Sequence, residues 1–408
     1  MAANPLPSRT EVAVVGRGPV GLATALALSR AGLPVTVIGA PLPPDDEPWD
    51  LRVYALSPAT RDLLDGIGVW HALNAARMAP VYDMRVHPAF GSTQRELHLS
   101  AYEGRVDALA WIAEQRNLVG ALEQALRFAG LPVIDDRLAG LDTRSDTQVA
   151  ELQLASGRRL KARLVVGADG AASRVREAAG LQWSLRDYPQ RALVAHFHTE
   201  QPHRDAACQW FGRDGILALL PLPSPADEAG GRVSMVWSAP PELADHLQAM
   251  SAAELGERIE AASGGIFGKV TPISRVAAFP LRLGRASAMT AARVALVGDA
   301  AHLLHPLAGQ GMNLGFGDVT ALADTLRGPQ AARDPGERLL LRRYERARAE
   351  PVAAMRLVTD GLQRLFDPTG GGVPGPLRPA IDSAVAFGWQ AVARSGWLKR
   401  QLVAQAIR

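Results

Sequence analysis

EVAVVGRGPVGLATALALSRAG, residues 11–32, predicts a β-strand, a tight glycine turn and an α-helix in direct succession. A β-branched run leads into Gly16, Gly18 and Gly21, spaced as GxGxxG, and a second β-branched run follows at 35–38. In this context the first glycine makes the turn, the second lets a pyrophosphate approach the backbone, and the third lets the helix pack on the strand. The stretch therefore predicts a Rossmann-like βαβ unit that binds a dinucleotide.

One position departs from this pattern. An acidic residue that binds a ribose 2′-hydroxyl commonly follows the second strand, and it should fall near Gly39, where the sequence reads VTVIGAP. Asp45, Asp46 or Glu47 in the next loop could take its place, or water or backbone could hold the hydroxyl. Binding of a pyrophosphate by the glycine turn does not depend on this residue.

A second informative stretch is RVALVGDAAHLLHPLAGQGMNLGFGDV, residues 293–319. It predicts a strand at 294–297 that leads to Asp299, then a Pro/Gly-rich loop, then a helix that begins near Met312. An acid at a strand end can hold a sugar or ribityl hydroxyl, and Gly311 lets backbone N–H groups approach a flat ring. Together with the first unit, the stretch indicates a bound flavin.

A third stretch, RLVVGADGAASRVREAAG at 163–180, has the spacing DGxxSxxR. Asp169 and Ser173 can cap the helix that follows, and Arg176 can pair with Asp169. These residues could also do no more than fix a corner between a strand and a helix.

In this order and at these separations, the three stretches resemble the flavin-dependent aromatic hydroxylases, the class A single-component monooxygenases. Within them the chain most resembles the ubiquinone-biosynthesis hydroxylase family. Further matching stretches are DLRVYALSPAT (50–60), FGRDGILALLPLP (211–223), FPL (279–281) and AHLLHPLAGQGMNLG (301–315). The resemblance covers most of residues 10–366 and implies an α/β fold of para-hydroxybenzoate-hydroxylase type, with an α+β insert and C-terminal helices.

The resemblance also implies roles for individual residues. Contacts with FAD are expected from Gly16, Gly18, Pro19, Val20, Gly21, Arg52, Arg116, Asp169, Asp299, Pro306, Gly309, Gln310, Gly311, Met312 and Asn313. Catalytic contacts with the flavin ring are expected from Pro306, Gly311, Met312 and Asn313. Substrate contacts are expected from Leu219, Pro221, Phe279 and His305, as an apolar roof over the flavin.

The implied reaction is the hydroxylation of a phenol. In the family, NADH or NADPH reduces FAD, reduced flavin and O₂ form a C4a-hydroperoxide, and its distal oxygen is transferred to the ring. An apolar roof favours a polyprenyl phenol of ubiquinone biosynthesis over a charged benzoate. A hydroxylase of another aromatic substrate and a flavin-bound accessory protein of a biosynthetic complex stay open as alternatives. His196 and His198 share one strand face and could deprotonate a phenol, although a structural role is favoured.

The three matching stretches predict a discontinuous domain organisation. The FAD-binding domain is expected at 8–77, 106–180 and 285–350, a β-rich substrate domain at 78–105 and 181–284, and a helical region at 351–408. Single helices are expected at 241–262, 314–327 and 335–366.

Composition excludes several classes of function. The chain has 408 residues, 48% of them hydrophobic and 21% charged, which allows a large core and two or three domains. A pI near 9.3 does not indicate nucleic acid binding, because the arginines are scattered and no basic run carries interleaved aromatic residues. The single cysteine, Cys208, cannot form an internal disulfide, and no Cys or His pattern indicates a metal site.

No signal peptide or membrane span is predicted, because glycine, arginine and proline interrupt the apolar run at 12–28. A cytoplasmic protein is expected, with peripheral contact at the inner membrane, a biosynthetic complex or a homodimer as alternatives. The C-terminal run SGWLKRQLVAQAIR (395–408) mixes apolar and basic residues. Such a run is typical of a docking helix or of one that rests on a membrane.

Overall fold

The computed structural model describes residues 7–43, 47–87, 96–143, 148–212, 214–225, 227–304, 310–329 and 333–365. The elements below are taken from these residues. The C-terminal run at 395–408 lies outside them.

The first sheet carries the glycine turn at one of its edges. Its strands are β1 (Arg9–Val15), β2 (Val35–Ile38), β8 (Val133–Ile134), β9 (Leu138–Asp142), β10 (Ala150–Leu154), β11 (Arg159–Gly167), β18 (Thr290–Ala291) and β19 (Val294–Leu296). The order is β18-β19-β11-β1-β2-β8, with β10 beside β11 and β9 beside β10. Since β19, β11, β1 and β2 are parallel neighbours, their carboxyl ends lie at the same edge.

A second, larger sheet is built mainly from the chain between β11 and β18. Its strands are β5 (Asp83–His87), β6 (Leu97–Ser100), β12 (Trp183–Thr199), β13 (Ala206–Gly212), β14 (Gly215–Leu222), β15 (Gly231–Ala239), β16 (Val270–Pro272), β17 (Ala277–Ala286) and β20 (His302–Leu303). The order is β20-β17-β12-β15-β14-β13-β5-β6, with β16 on β12. A small third sheet has the order β3-β7-β4, from β3 (Val53–Leu56), β4 (Met78–Val81) and β7 (Ala110–Glu114). The domain boundaries expected from the sequence stay a prediction.

Helices cover the sheets. They are α1 (Pro19–Arg30), α2 (Pro58–Gly66), α3 (Ala101–Gly104), α4 (Gln115–Phe128), α5 (Arg174–Ala178), α6 (Pro241–Ala249), α7 (Ala252–Ala262), α8 (Gln310–Thr325) and α9 (Arg338–Leu365). Short 3₁₀ turns occur at Trp70–Ala72, Ala75–Arg77 and Gly298–Ala300.

The single helix expected at 241–262 is wrong, because the chain makes two helices there. Met250 is extended, and Ser251 begins α7 with a capping box. The Ser251 hydroxyl accepts from the Glu254 N–H, and the Glu254 carboxylate accepts from the Ser251 N–H. This exchange satisfies the first N–H groups of a new helix and therefore separates it from the preceding one.

Both faces of the first sheet are buried. Val12 and Val14 pack with Leu22 of α1 and Phe316 of α8, whereas Val15 packs on the opposite face. Successive strand residues point to opposite faces, so a strand covered on both sides reads as a continuous β-branched run. This explains why the βαβ unit was recognisable from sequence.

The second sheet has an outer face that packs on α6 and α7, and an inner face that packs on the third sheet and α8. Leu219 is fully buried in the outer cluster, and Pro221 pairs in register with Val233 of that cluster. Their expected place in a roof over the flavin is therefore wrong. Because side chains alternate along a strand, the neighbours Leu220 and Leu222 lie on the inner face instead.

This assignment of faces is testable by stability. Leu219→Ala should lower the free energy of unfolding by about 2–5 kcal/mol, since it leaves a cavity among fully packed side chains. The half-buried neighbour on the inner face provides the control, because Leu220→Ala removes the same atoms from a less enclosed position. Urea denaturation of both variants would contradict the assignment if Leu220→Ala proved the more costly.

Candidate active site

The glycine turn at the end of β1 presents an open helix N-terminus. Gly16 has φ +123°, and a Cβ there would lie 2.1 Å from the carbonyl oxygen of Ala168. Around Gly18 nothing lies within 4 Å of the position a Cβ would take. No side chain caps α1, and Pro19 stands in its first turn. The N–H groups that follow are therefore available to an anion.

Asp299 lies on the same edge, in the 3₁₀ turn that follows β19. Gly298 before it has φ +59°, and a Cβ there would lie 3.2 Å from the side chain of Val20. The Asp299 side chain reaches solvent, while its neighbours Gly298 and Ala300 are buried. Surrounding protein atoms desolvate the carboxyl group and raise its pKa, and nearby His302 opposes this shift. An acid at this place can accept a hydrogen bond from a ligand hydroxyl.

A buried carboxylate, Asp318 of α8, fixes the position of this turn. Its Oδ2 accepts from the Gly298 N–H at 2.9 Å and from His302 Nε2 at 2.7 Å. Its Oδ1 accepts from Arg348 Nε at 2.6 Å, and Arg348 also donates to the carbonyl oxygen of Leu314. Burial alone would raise the pKa of Asp318, but these partners hold it below its usual value.

The first turn of α8 is tied to β3 and α2 by Asn313. Its side-chain nitrogen donates to the carbonyl oxygen of Ala55 at 2.8 Å. Its oxygen accepts from the Ser57 N–H and from the Thr60 hydroxyl, at 3.0 and 2.8 Å. The side chain therefore has a structural role. The N–H groups of Gly311, Met312 and Asn313 lie in the first turn of a helix, where N–H groups have no acceptor within the helix.

One buried acid positions both arginines that were predicted to contact the cofactor. Asp50 Oδ1 accepts from the Arg52 N–H at 3.0 Å, and Oδ2 accepts from the Arg116 N–H at 2.9 Å. Glu114, also buried, accepts from the Asp50 N–H. The exposed guanidinium of Arg52 lies 5.9 Å from the ring centroid of Phe279, and Arg116 Nη1 donates to the carbonyl oxygen of Glu47.

A cavity of about 360 Å³ lies between these arginines and the second sheet; it is lined by Leu42, Pro43, Glu47, Trp49, Asp50, Leu51, Arg52, Gln115, Arg116, Ser274, Arg275 and Phe279. Phe279 lies on the inner face, because it pairs with Ala192, whose neighbour Leu193 belongs to the outer cluster. A larger cavity, of about 610 Å³, lies between β18 and α9 and touches none of the predicted site residues.

His196 is fully buried on the inner face and does not point into this cavity as a base. Its Nε2 donates to the carbonyl oxygen of Asp50 at 3.0 Å, and burial lowers the pKa of the imidazole. A neutral ring bonded to the segment that carries Arg52 supports the structural role favoured from the sequence. His198 donates instead to the carbonyl oxygen of Ala229.

Asp169 occupies the third strand end at this edge, but its oxygens are engaged. Oδ1 accepts from the Ser173 hydroxyl at 2.5 Å, and Oδ2 accepts from the N–H groups of Arg174 and Val175. The expected pairing with Arg176 is wrong, because that guanidinium donates to the carbonyl oxygens of Ala300 and Ala171 and stacks on Trp183. Asp169 therefore caps α5, and its contact with a cofactor stays a prediction.

Several predicted site residues cannot be placed. His305, Pro306 and Gly309 lie outside the described residues, as do Asp45 and Asp46, and Gln310 is described only as the first residue of α8. Sequence reasoning missed Asp318, Arg348 and Asp50. For Asp318 a signal existed, since an acid within the apolar run LGFGDVTALA must be paired if it is buried.

Comparisons with known proteins identify the family. The model of an FAD binding domain family matches residues 9–358. The 3-demethoxyubiquinol 3-hydroxylase of Escherichia coli is 36% identical, with 98% of each chain covered. The chain belongs to the FAD-dependent aromatic hydroxylases, within the ubiquinone-biosynthesis hydroxylase family. The ubiquinone hydroxylase UbiL of Rhodospirillum rubrum is 35% identical, covering 97% of this chain and 89% of its own.

The fold is that of the flavin hydroxylases. The p-nitrophenol 4-monooxygenase of Pseudomonas putida superposes with a TM-score of 0.75 at 20% identity, over 98% of both chains. The enzyme is therefore an FAD-dependent monooxygenase of para-hydroxybenzoate-hydroxylase-like fold, as the sequence predicted. No helix among the described residues is long and apolar enough to cross a membrane.

The residues present fit FAD. The open N-terminus of α1 suits the pyrophosphate, and the solvent-facing carboxylate of Asp299 suits a ribityl hydroxyl. The N–H donors in the first turn of α8 would suit an electron-rich edge of the flavin ring. When bound, FAD supplies electron transfer and the activation of O₂. The protein would position these groups through α1, Asp299 and the first turn of α8.

The buried hydrogen bonds of Asp318 with His302 and Arg348 should make the stability of the protein depend on pH. Asp318→Asn leaves Arg348 without a buried counterion and should lower the free energy of unfolding by about 3–5 kcal/mol at pH 7. Because the folded-state pKa of Asp318 is lowered, its contribution is present above the unfolded pKa of about 3.9 and is lost as the pH falls through the folded value. The difference between wild type and variant should therefore shrink below about pH 4.

Urea denaturation across pH would measure this difference. Asp324→Asn is the matched control, since Asp324 on the same helix pairs with Arg327 in solvent and should contribute less than about 1 kcal/mol. Equal stabilities for the two variants at pH 7 would contradict the role given to Asp318.

Asp299 should contribute directly to cofactor retention. Asp299→Ala removes a charge-assisted hydrogen bond to a ribityl hydroxyl, worth roughly 1.5–3 kcal/mol, or about 10- to 100-fold in FAD affinity. Titration of the apoprotein with FAD, followed by quenching of flavin fluorescence, would measure the loss. Unchanged affinity in a variant with native circular dichroism would rule out this contact.

Proposed function

We propose that this monooxygenase hydroxylates the ring of a polyprenyl or alkyl phenol in ubiquinone biosynthesis, with NADH or NADPH as reductant and O₂ as oxidant. Two observations support the proposal. The relatives that match nearly the whole chain carry names of ubiquinone hydroxylases. An apolar cluster of the inner face adjoins the first turn of α8.

The apolar inner face carries the argument for the substrate. Leu220 and Leu222 of β14 form one cluster with Val53 and Ala55 of β3. Ala55 also accepts the hydrogen bond from Asn313, so this cluster adjoins the first turn of α8. A carboxylate placed against such side chains would lose hydration without gaining a partner. The hydrocarbon tail of a substituted phenol has no charge to desolvate there and gains burial of apolar surface.

The protein's own contribution to the reaction is positional and electrostatic. The N–H groups at the start of α8 favour negative charge on the pyrimidine edge of the flavin, where charge builds on reduction. The inner face excludes water and orients the phenol ring. Arg52, exposed above Phe279, adds positive charge at the mouth of the cavity, where an anionic dinucleotide would approach.

A substrate of this class also bears on where the enzyme works. A phenol with a long hydrocarbon tail partitions into a membrane, so we propose that the enzyme acts in the cytoplasm in peripheral contact with the inner membrane. Association with other enzymes of the same biosynthetic route, or with a second copy of this chain, would also help to bring the membrane-bound phenol to the enzyme. Flotation with liposomes that contain the prenylated phenol, compared with liposomes that lack it, tests this contact.

The proposed reaction is tested by product analysis under ¹⁸O₂. The holoenzyme should oxidise NAD(P)H faster in the presence of a prenylated phenol than with 4-hydroxybenzoate, and the new hydroxyl should carry ¹⁸O. Label from water would refute the monooxygenase chemistry. A clear preference for 4-hydroxybenzoate would refute the apolar pocket, and a lack of phenol-stimulated turnover would favour an accessory protein.

A further inference from the structure

The end of β2 leaves little room for the acidic side chain that dinucleotide-binding units commonly place there. Gly39 occupies this position, and a Cβ built on it would lie 3.0 Å from both the Cβ and the backbone nitrogen of Arg17. Such distances are shorter than nearly all contacts that real side chains make. Arg17 stands between Gly16 and Gly18, so it cannot move aside without moving the phosphate-binding turn. A side chain at residue 39 would therefore require the turn to shift by a few tenths of an ångström.

Arg17 itself is held in a defined direction. Its Nε lies 2.9 Å from Glu123 Oε1 of α4, and the two side chains are only 17% and 20% exposed. Among the described residues, Glu123 is the only ion-pair partner of Arg17. The fixed fork of a guanidinium has further N–H donors beyond Nε. The side chain of Arg17 thus starts beside the strand end where a ribose is commonly bound, and its guanidinium is partly buried and oriented by Glu123.

We propose that Arg17, held by Glu123, binds the 2′-hydroxyl of the adenosine ribose of FAD in place of the missing strand-end acid. A hydroxyl can be recognised through its proton, as a carboxylate does, or through its oxygen, as a guanidinium does. This inference rests on FAD binding and concerns only the adenosine half of the cofactor. Glu47 is a weaker candidate, because its backbone carbonyl oxygen accepts from Arg116 and it lines the cavity that Phe279 also lines.

The test compares FAD with an analogue that carries 2′-deoxyadenosine. Apoprotein should bind FAD at least about 10-fold more tightly than the analogue, as expected for a hydrogen bond to a charged group. Arg17→Met, which keeps the stem but removes the donors, should bind the two flavins equally. Glu123→Gln should reduce the preference, because the guanidinium is no longer fixed. Quenching of flavin fluorescence measures all affinities without turnover.

Two further variants sharpen the test. The exposed Arg127 lies 3.8 Å from Glu123, measured from Nη1 to Oε2. Arg127→Met removes this partner and should leave the preference for FAD over the analogue intact. Gly39→Glu restores the acid but should weaken binding of both flavins to a similar degree, because its Cβ meets the turn at Arg17. If Arg17→Met fails to fold, Arg17→Lys, which keeps a donor but loses the fork, should show a reduced preference.

Three results would overturn the proposal. The wild type could bind both flavins equally, Arg17→Met could keep the full preference, or an alanine variant of Asp45, Asp46 or Glu47 could abolish it. FAD and its 2′-deoxyadenosine analogue carry the same flavin ring. Phenol hydroxylation can therefore be measured independently of the ribose preference. A lost ribose preference with intact phenol hydroxylation refutes this inference alone. An intact preference without hydroxylation refutes only the proposed function.

Discussion

The buried carboxylate of Asp318 joins four parts of the chain that lie far apart in sequence. It accepts hydrogen bonds from the turn at Gly298, from His302 at the start of β20 and from Arg348 of α9, while it belongs to α8 itself. An unpaired charge in this position would be very costly, and the same charge with three donors is well satisfied. The consequence is geometric, because Asp299 and the first turn of α8 are held in one fixed relation.

Close backbone packing of α8 against the turn at Gly298 and the start of α1 also holds Asp299 and the first turn of α8 in place. A Cβ on Gly315 of α8 would lie 3.0 Å from the side chain of Val20 and 3.2 Å from Cα of Gly298. Helix α8 therefore runs directly across both the turn after β19 and the start of α1. The two motifs recognised in the sequence meet at this crossing. Together they define one surface that suits the pyrophosphate, the ribityl chain and the ring of the same cofactor.

The second sheet reaches this surface through a separate network. His196 of β12 holds the carbonyl oxygen of Asp50, and the carboxylate of Asp50 holds the N–H groups of Arg52 and Arg116. The second sheet is thus bonded to the segment that carries the two arginines predicted to contact the cofactor. Neither Asp50 nor His196 needs to touch a ligand for this purpose, since each acts by fixing the backbone of another residue.

The sequence by itself determined the βαβ unit, the family, the cofactor and the strand end that carries Asp299, because these depend on local spacing and on runs that both faces of a sheet bury. Only the tertiary structure decided which side chains face the site. The alternation that places Leu220 inside and Leu219 outside is set by pairing with distant strands, and a shift of one residue would reverse it. The same holds for the contacts of Asp318 and Asp50. Each of these carboxylates joins residues that lie far apart in the sequence, and no local pattern encodes their proximity.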